Sequence, residues 1–211
     1  MTAENQRPLE SVTPPRWAEA VLRVLLRPDV AETVSGDLLE EYRDTVFPSR
    51  GRRRADMWYA AQVTRFMLHT PLIWGLVLAA FLSARTLFDT FAPPADYSWA
   101  ARSAFTTWSS ITLYVFAAAW AAWRTGRASS GPLVALVTHV IGWTLRAVFD
   151  TVLFVSVVRH NPKMLDLFEI TGGWGEEWGV PLMLLPVVVV LGTLGGLAGK
   201  SLGSARTRMA G

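Results

Sequence analysis

Two pairs of opposite charges lie inside stretches of the sequence that are otherwise apolar. Arg85 and Asp89 stand four residues apart in "RTLFDTF", and Arg146 and Asp150 have the same spacing in "RAVFDTV". Residues at positions i and i+4 share one face of a helix, so each arginine can neutralise its own aspartate. Five of the seven positions in the two stretches match in kind, which indicates an internal repeat.

The chemistry of these four residues has two interpretations. If their helices are neighbours, Arg85 can also meet Asp150 and Arg146 can meet Asp89, in one network. Ionisable residues inside a membrane are candidates for an ion or proton pathway. An arginine, however, stays charged at any accessible pH and holds its aspartate ionised, which favours a structural clasp. Exchanging one pair (Arg146→Asp with Asp150→Arg) is then expected to retain much of the folding that either single change loses.

Other catalytic or metal-binding chemistry is not indicated. The chain has no cysteine, which excludes disulfides and cysteine-ligated zinc or iron–sulfur sites. Its three histidines, His69, His139 and His160, are scattered without the spacing of metal ligands. The sequence therefore predicts no catalytic residue, no metal, no cofactor and no enzymatic activity.

The stretch "GTLGGLAGKS" resembles a phosphate-binding loop only at its end. The first glycine that such a loop requires falls on Leu194, and the loop would also have to follow a strand. Instead, the stretch contains two overlapping GxxxG spacings, which permit close approach of transmembrane helices. Helix packing is therefore the predicted role of Gly192, Gly195, Gly196 and Gly199.

Four apolar runs carry these residues. A helix needs about 20 predominantly apolar residues to cross a bilayer. The spans are expected at residues 71–91, 104–123, 132–158 and 180–199, within a transmembrane domain of residues 70–200 and before a cytosolic tail of residues 201–211. We therefore predict an all-α fold with a four-helix transmembrane bundle, arranged as two repeated hairpins.

The residues before the first span form a different region. Up to Thr70 the chain holds ten arginines and ten acidic residues, as a small soluble helical unit would. Residues 1–13 are polar, lack the apolar core of a secretory signal, and are expected to be disordered. We predict a cytosolic helical domain over residues 14–69.

Basic residues define the expected orientation. With the N-terminus inside, the cytoplasmic side holds 15 of the 20 Lys and Arg residues and the outer loops hold three. This bias agrees with the positive-inside rule, so both termini are expected to be cytoplasmic.

A dense basic cluster precedes the first span, where "FPSRGRRR" is predicted to be a turn. Such clusters attract anionic lipids, and they can also attract nucleic acid. The adjacent spans favour lipid, so we expect membrane lipids and not nucleic acid as the partner. The predicted headgroup contacts are Arg50, Arg52, Arg53, Arg54 and Arg65.

A resemblance to a known module covers residues 14–66. Pro14-Pro15-Arg16, the "GDLLEEY" stretch from Gly36 to Tyr42, and Trp58-Tyr59 with Gln62 resemble the permease prefix domain that precedes the membrane part of acidobacterial FtsX/MacB-like permeases. Those permeases carry a large extracytoplasmic domain between their first two spans, whereas here about a dozen residues join them. The resemblance implies a multi-pass protein of the bacterial inner membrane.

Two functions follow as expectations. In the first, the chain is an accessory or assembly protein whose prefix docks a permease subunit or another copy of itself. Asp37, Glu40 and Glu41 fit a solvated helix face better than a part of that docking surface or a metal site. In the second, the chain is a small-solute transporter or channel that uses the intramembrane Arg/Asp layer.

Overall fold

A computed structural model describes residues 13–92, 96–170 and 172–209, and apart from Thr13 the predicted disordered segment 1–13 lies outside them. The part of the chain so described is helical throughout and holds no strand, which confirms the all-α prediction. A π-helical turn, Tyr42–Val46, and a 3₁₀ turn, Val158–His160, accompany seven α-helices. The helices are α1 (Arg16–Leu25), α2 (Pro28–Glu41), α3 (Phe47–Phe91), α4 (Asp96–Thr125), α5 (Ser130–Ser156), α6 (Pro162–Ile170) and α7 (Gly173–Met209).

The chain divides into two compact units, residues 1–69 and residues 70–211. In the first unit, α1 buries Ala18 and Leu22 against Tyr42 and Tyr59. The two tyrosine rings meet edge to face with their centroids 5.8 Å apart, a favourable arrangement for aromatic pairs. Pro28 begins α2, because a proline at the first helical position removes only an amide that has no helical partner.

The predicted turn at "FPSRGRRR" is mostly helical. A single residue, Gly51, interrupts α3 with φ 72° and ψ 167°, and helix continues on both sides of it. Glycine adopts a positive φ without the steric cost that other residues carry. The glycine in this stretch therefore marks a one-residue kink and not a turn between helices. Beyond it, α3 continues through Pro71 to Phe91.

In the second unit, α3, α5 and α7 are long and apolar enough to cross a membrane. The 30-residue α4 is less apolar because it is rich in serine, threonine and tryptophan, but it packs against both α5 and α7. Leu78 of α3, Tyr114 of α4, Ala135 of α5 and Val188 of α7 lie in one buried cluster. The prediction of membrane-spanning helices is thus supported for three of its four spans.

A short helix, α6, occupies the loop that the sequence placed between the last two spans. Its Phe168 ring lies 4.9 Å from the Phe154 ring of α5 and 5.4 Å from the Trp174 ring of α7. The turn into α7 uses positive φ angles at Gly172 and Gly173, which glycine adopts readily. This aromatic cluster holds α6 against the ends of α5 and α7.

Candidate functional site

The first charged pair is part of a contact between α3 and α4. The Nε of Arg85 donates to the carboxylate of Asp89, and its Nη1 donates to Thr106 and, at 2.6 Å, to the carbonyl oxygen of Arg102. The Nη1 of Arg102 donates to the other Asp89 oxygen at 3.0 Å. The carboxylate of Asp89 therefore lies between two guanidinium groups. We name Arg85, Asp89, Arg102 and Thr106 the α3–α4 clasp.

Aromatic rings cover the same two guanidinium groups. The guanidinium carbon of Arg102 lies 4.4 Å from the centroid of the Phe88 ring, and that of Arg85 lies 5.9 Å from the Trp99 ring. Both distances are within the range of cation–π attraction. The two arginines are thus held by charge, hydrogen bonds and ring faces together.

The second charged pair joins α5 to α7. The Nε of Arg146 lies 2.9 Å from a carboxylate oxygen of Asp150, and its Nη2 donates to Glu177 at 2.8 Å. The Trp143 ring lies 4.6 Å from the Arg146 guanidinium. We name Arg146, Asp150 and Glu177 the α5–α7 clasp. One arginine here faces two carboxylates.

Asp150 is the most buried member of the two charged pairs. Its side chain is 7% exposed, and neither carboxylate oxygen accepts a hydrogen bond within the described part of the chain. A buried carboxylate without donors depends on the nearby positive charge for its stability. Arg146 supplies that positive charge to Asp150.

The cross-helix network anticipated from the sequence is not formed. Among residues 13–92, 96–170 and 172–209, Arg85 makes no ion pair with Asp150 and Arg146 makes none with Asp89. Each arginine instead pairs within its own helix and uses one further nitrogen, Nη1 of Arg85 and Nη2 of Arg146, to contact the partner helix of its clasp, because Thr106 and Glu177 are in reach there.

Sequence reasoning missed the third charged member of each clasp. Arg102 and Glu177 precede the apolar runs that begin at residues 104 and 180, so the predicted spans leave both of them in the outer loops. The helices themselves begin earlier, α4 at Asp96 and α7 at Gly173. A signal was present, since both residues lie close to the apolar runs and carry charges able to pair with the buried Arg/Asp residues.

A buried hydrogen-bonded link through His139 was also missed. Its Nδ1 lies 2.8 Å from the hydroxyl of Tyr114 on α4, and its Nε2 lies 3.0 Å from the carbonyl oxygen of Pro181 on α7. A carbonyl oxygen only accepts, so Nε2 is the donor to Pro181. His139 on α5 therefore links α4 and α7 through its two ring nitrogens.

The four glycines of α7 lie on the two faces that meet its neighbours. All four are buried, whereas Thr193, Leu194, Leu197 and Ala198 between them are exposed. A Cβ atom at Gly192 would lie 2.7 Å from the Cα of Pro132 on α5, and one at Gly195 would lie 2.5 Å from the carbonyl oxygen of Val115 on α4. Gly196 and Gly199 similarly meet the carbonyl groups of Ala128 and Ala119. One GxxxG spacing thus faces the α5 side and the other faces α4.

The candidate docking and lipid-binding residues lie on the surface of the first unit. The three acidic residues Asp37, Glu40 and Glu41 are exposed on α2. The five arginines of the basic cluster are exposed as well: Arg50, Arg52, Arg53, Arg54 and Arg65.

Tyr42 anchors the core beneath that surface. Its hydroxyl donates to the carboxylate of Asp56 at 2.6 Å. Burial, followed by the contact with Asp56, raises the pKa of Tyr42 to about 12. Burial also raises the pKa of Tyr59 above its ordinary value. Both phenols are therefore protonated in the folded unit at neutral pH.

Comparisons with known proteins assign no family to the chain. A scan against protein-family models matches none of them, and no curated protein and no solved structure matches the chain. The described residues also contain no group of three His, Asp or Glu side chains placed to hold a metal ion. The resemblance to a permease prefix domain therefore rests on the sequence stretches quoted above.

Proposed function

We propose that the chain is an accessory protein of the bacterial inner membrane, in which a cytosolic prefix domain docks a partner and a four-helix bundle provides the anchor. In this arrangement α4 crosses the membrane together with α3, α5 and α7. Its length supports the crossing, since 30 residues at 1.5 Å each extend about 45 Å. Its packing against α5 and α7, both apolar enough to span, supports it as well.

The proposal rests on the groups that Arg85 and Arg146, both partly buried, contact with their guanidinium nitrogens. Arg85 bonds to its own Asp89 and to two groups on α4, and Arg146 pairs with its own Asp150 and with Glu177 on α7. Each clasp therefore ties the first helix of a proposed hairpin to the second. This arrangement supports a role for the charges in stabilising the bundle.

The surface of the prefix supports a docking role. An acidic face and a basic cluster are both exposed on a small domain with its own buried core. The resemblance to permease prefix domains suggests two candidate partners, a permease subunit and a second copy of the chain. The basic cluster is proposed to contact anionic lipid headgroups at the cytoplasmic surface.

Site-specific photo-crosslinking in native membranes tests this docking role. A photoreactive phenylalanine analogue replaces Asp37, Glu40 or Glu41 in turn, and the matched control position is Ala61, which is also exposed in the first unit. We expect one discrete adduct from the acidic positions and none from Ala61. An adduct of twice the chain mass identifies a second copy, and a heavier one identifies another subunit. Absence of any adduct, or equal adducts at Ala61, contradicts the proposal.

A transporter or channel is the second candidate, and the burial of Asp150 favours it. The α5–α7 clasp has one arginine for two carboxylates, and the Asp150 oxygens accept no hydrogen bond within the described residues. Flux measurements on vesicles containing the full-length protein separate the two functions. Our proposal predicts no ion or proton flux above that of protein-free vesicles. A flux that Asp150→Asn abolishes without unfolding the protein would instead support transport.

A further inference from the structure

A groove lies between α3 and α4. It encloses about 470 Å³, within the range of small-molecule sites, roughly 300–1,000 Å³. Three phenylalanines form much of its wall, Phe81, Phe88 and Phe105, and Arg85, Arg102 and Thr106 of the α3–α4 clasp also line it. The groove thus combines an apolar surface with two cations.

The charged and apolar parts of the groove lie at different depths. Arg85 stands six residues before the end of α3, and Arg102 stands six residues after the start of α4. At 1.5 Å per residue, both lie about 9 Å from the helix ends. Phe81 and Phe105 lie deeper, about 14–15 Å from the same ends. With the ends of α3 and α4 at the outer surface of the proposed bundle, the cations lie near the level of lipid headgroups and the rings lie at the level of acyl chains.

The charge of the groove is complementary to an anion. Two guanidinium groups share the single carboxylate of Asp89, so the described members of the clasp carry a surplus of one positive charge. A surplus cation at the edge of the hydrocarbon gains from an anionic neighbour, because the low dielectric strengthens the attraction. Guanidinium groups also match the geometry of phosphate oxygens better than a point charge does.

We propose that this groove binds one acidic phospholipid drawn from the surrounding bilayer. Its phosphate meets Arg85 and Arg102, and an acyl chain lies along Phe81 and Phe105. The groove is open to lipid, since the side chains of Phe88 and Phe105 are 54% and 66% exposed. The inference rests on the proposed crossing of α4, and it adds a lipid site separate from the basic cluster of the prefix.

Lipid retention measured by native mass spectrometry tests this site. The full-length protein in mild detergent is exposed to phosphatidylglycerol, to phosphatidylcholine, or to oleate, and the bound fraction of each is measured. We expect one phosphatidylglycerol per chain, retained at least tenfold more than either of the other two. Equal retention of the two phospholipids, or a preference for oleate, overturns the assignment.

Variants place the bound lipid in the groove. Ala101 and Ala84 are exposed residues on opposite walls, so Ala101→Trp and Ala84→Trp each fill the space while leaving every charge in place. Both variants, and Arg102→Gln, are expected to reduce phosphatidylglycerol retention at least tenfold. The control is Arg52→Gln with Arg53→Gln and Arg54→Gln, which removes positive charge from the prefix and is expected to retain the lipid.

The unfolding midpoint shows whether a variant still folds, and the triple arginine variant separates the groove from the basic cluster of the prefix. The unfolding midpoint of each tryptophan variant is measured without lipid. Lipid retention is then judged on a variant that keeps the wild-type midpoint, because its loss of lipid cannot come from unfolding. Loss of the lipid in the triple arginine variant, with full retention in the folded tryptophan variants, overturns the groove and leaves the docking proposal standing.

Discussion

Asp150 and Glu177 both pair with Arg146, so exchanging Arg146 with Asp150 also affects Glu177. From the sequence alone, exchanging Arg146 with Asp150 was expected to retain much of the folding. In the structure Arg146 also donates to Glu177 at 2.8 Å. The exchange therefore removes the guanidinium that Glu177 contacts and places a second carboxylate in its neighbourhood, and nearby carboxylates repel each other.

We now expect Arg146→Asp with Asp150→Arg to lower the free energy of unfolding by about 3–5 kcal/mol, the usual cost of breaking a buried ion pair. Adding Glu177→Arg should recover most of that loss, because every charge of the clasp is then inverted. Unfolding in mixed detergent micelles, followed by tryptophan fluorescence, measures both variants. A double exchange that is as stable as the wild type would show that Glu177 does not matter to the clasp.

Tyr42 gives the first unit a dependence on alkaline pH. In an unfolded chain this phenol ionises near pH 10, whereas its pKa in the folded unit is about 12. The folded state therefore holds the proton more tightly, so this contribution to stability is complete below pH 10 and is lost as the pH rises through 12. We expect the unfolding free energy of this unit to fall by about 2–3 kcal/mol across that interval, as measured by urea unfolding of the full chain.

Tyr42→Phe is the control for this pH effect. It removes the ionising group and also the hydrogen bond to Asp56, so it should cost about 1–2 kcal/mol at neutral pH. Its stability should then fall less steeply between pH 10 and 12, with the remaining fall due partly to Tyr59. A variant that loses as much stability as the wild type over this interval would refute the assignment to Tyr42.

At the scale of whole elements, α7 depends on glycine at its two contacts. A Cβ at Gly195 would lie 2.5 Å from the backbone of α4, and one at Gly199 would meet the carbonyl oxygen of Ala119. Backbone cannot move aside as a flexible side chain can, so the helices would have to separate. The close approach of α7 to α4 therefore requires these glycines.

We predict that Gly195→Ala and Gly199→Ala each destabilise the second unit by about 1–3 kcal/mol, as overpacking commonly does. Gly203→Ala is the matched control on the same helix, since its Cβ would lie an ordinary 3.6 Å from the Trp123 ring. That control should be neutral or slightly stabilising, because alanine favours helix over glycine. Detergent-induced unfolding compares the three, and equal losses at all three positions would contradict the packing account.

The ends of the helices could be predicted from the sequence with different accuracy. Apolar runs located the membrane part of α5 to within two residues at each end, 132–158 against Ser130–Ser156. They missed the start of α4 by eight residues and that of α7 by seven, 104 against Asp96 and 180 against Gly173. Hydropathy reports the apolar part of a helix, whereas backbone hydrogen bonds continue into polar residues beyond it.

The residues that a neighbouring helix contributes to each clasp cannot be predicted from a single sequence. The i,i+4 spacing indicated that Arg85 and Asp89 share a helix face, as do Arg146 and Asp150. Which residue of a neighbouring helix completes each group depends on the register between the helices, and no periodicity within one helix specifies that register. The sequence placed charged Arg102 and Glu177 beside the apolar runs, and the packing shows which clasp each of them completes.

At the scale of the whole molecule, the charge distribution and the structure describe the same two-part chain. Charged residues are concentrated before Thr70, and the boundary between the compact units falls between His69 and Thr70. The first unit buries a core around Tyr42, Tyr59 and Leu22, and the second buries one around Leu78, Tyr114 and Val188. The proposed function joins a soluble docking domain to a membrane anchor.

In the proposed topology all four long helices cross the membrane, with both termini in the cytoplasm. The chain has no cysteine, so a single cysteine can be introduced at the exposed positions Ser129, Asn161 or Ser201. Intact cells are then treated with a maleimide that does not cross the bilayer. Four crossings predict labelling at Asn161→Cys alone, with Ser129→Cys and Ser201→Cys labelled only after permeabilisation. If α4 does not cross, the labelling pattern reverses. Labelling of Ser129→Cys and Ser201→Cys, without labelling of Asn161→Cys, would therefore contradict four crossings.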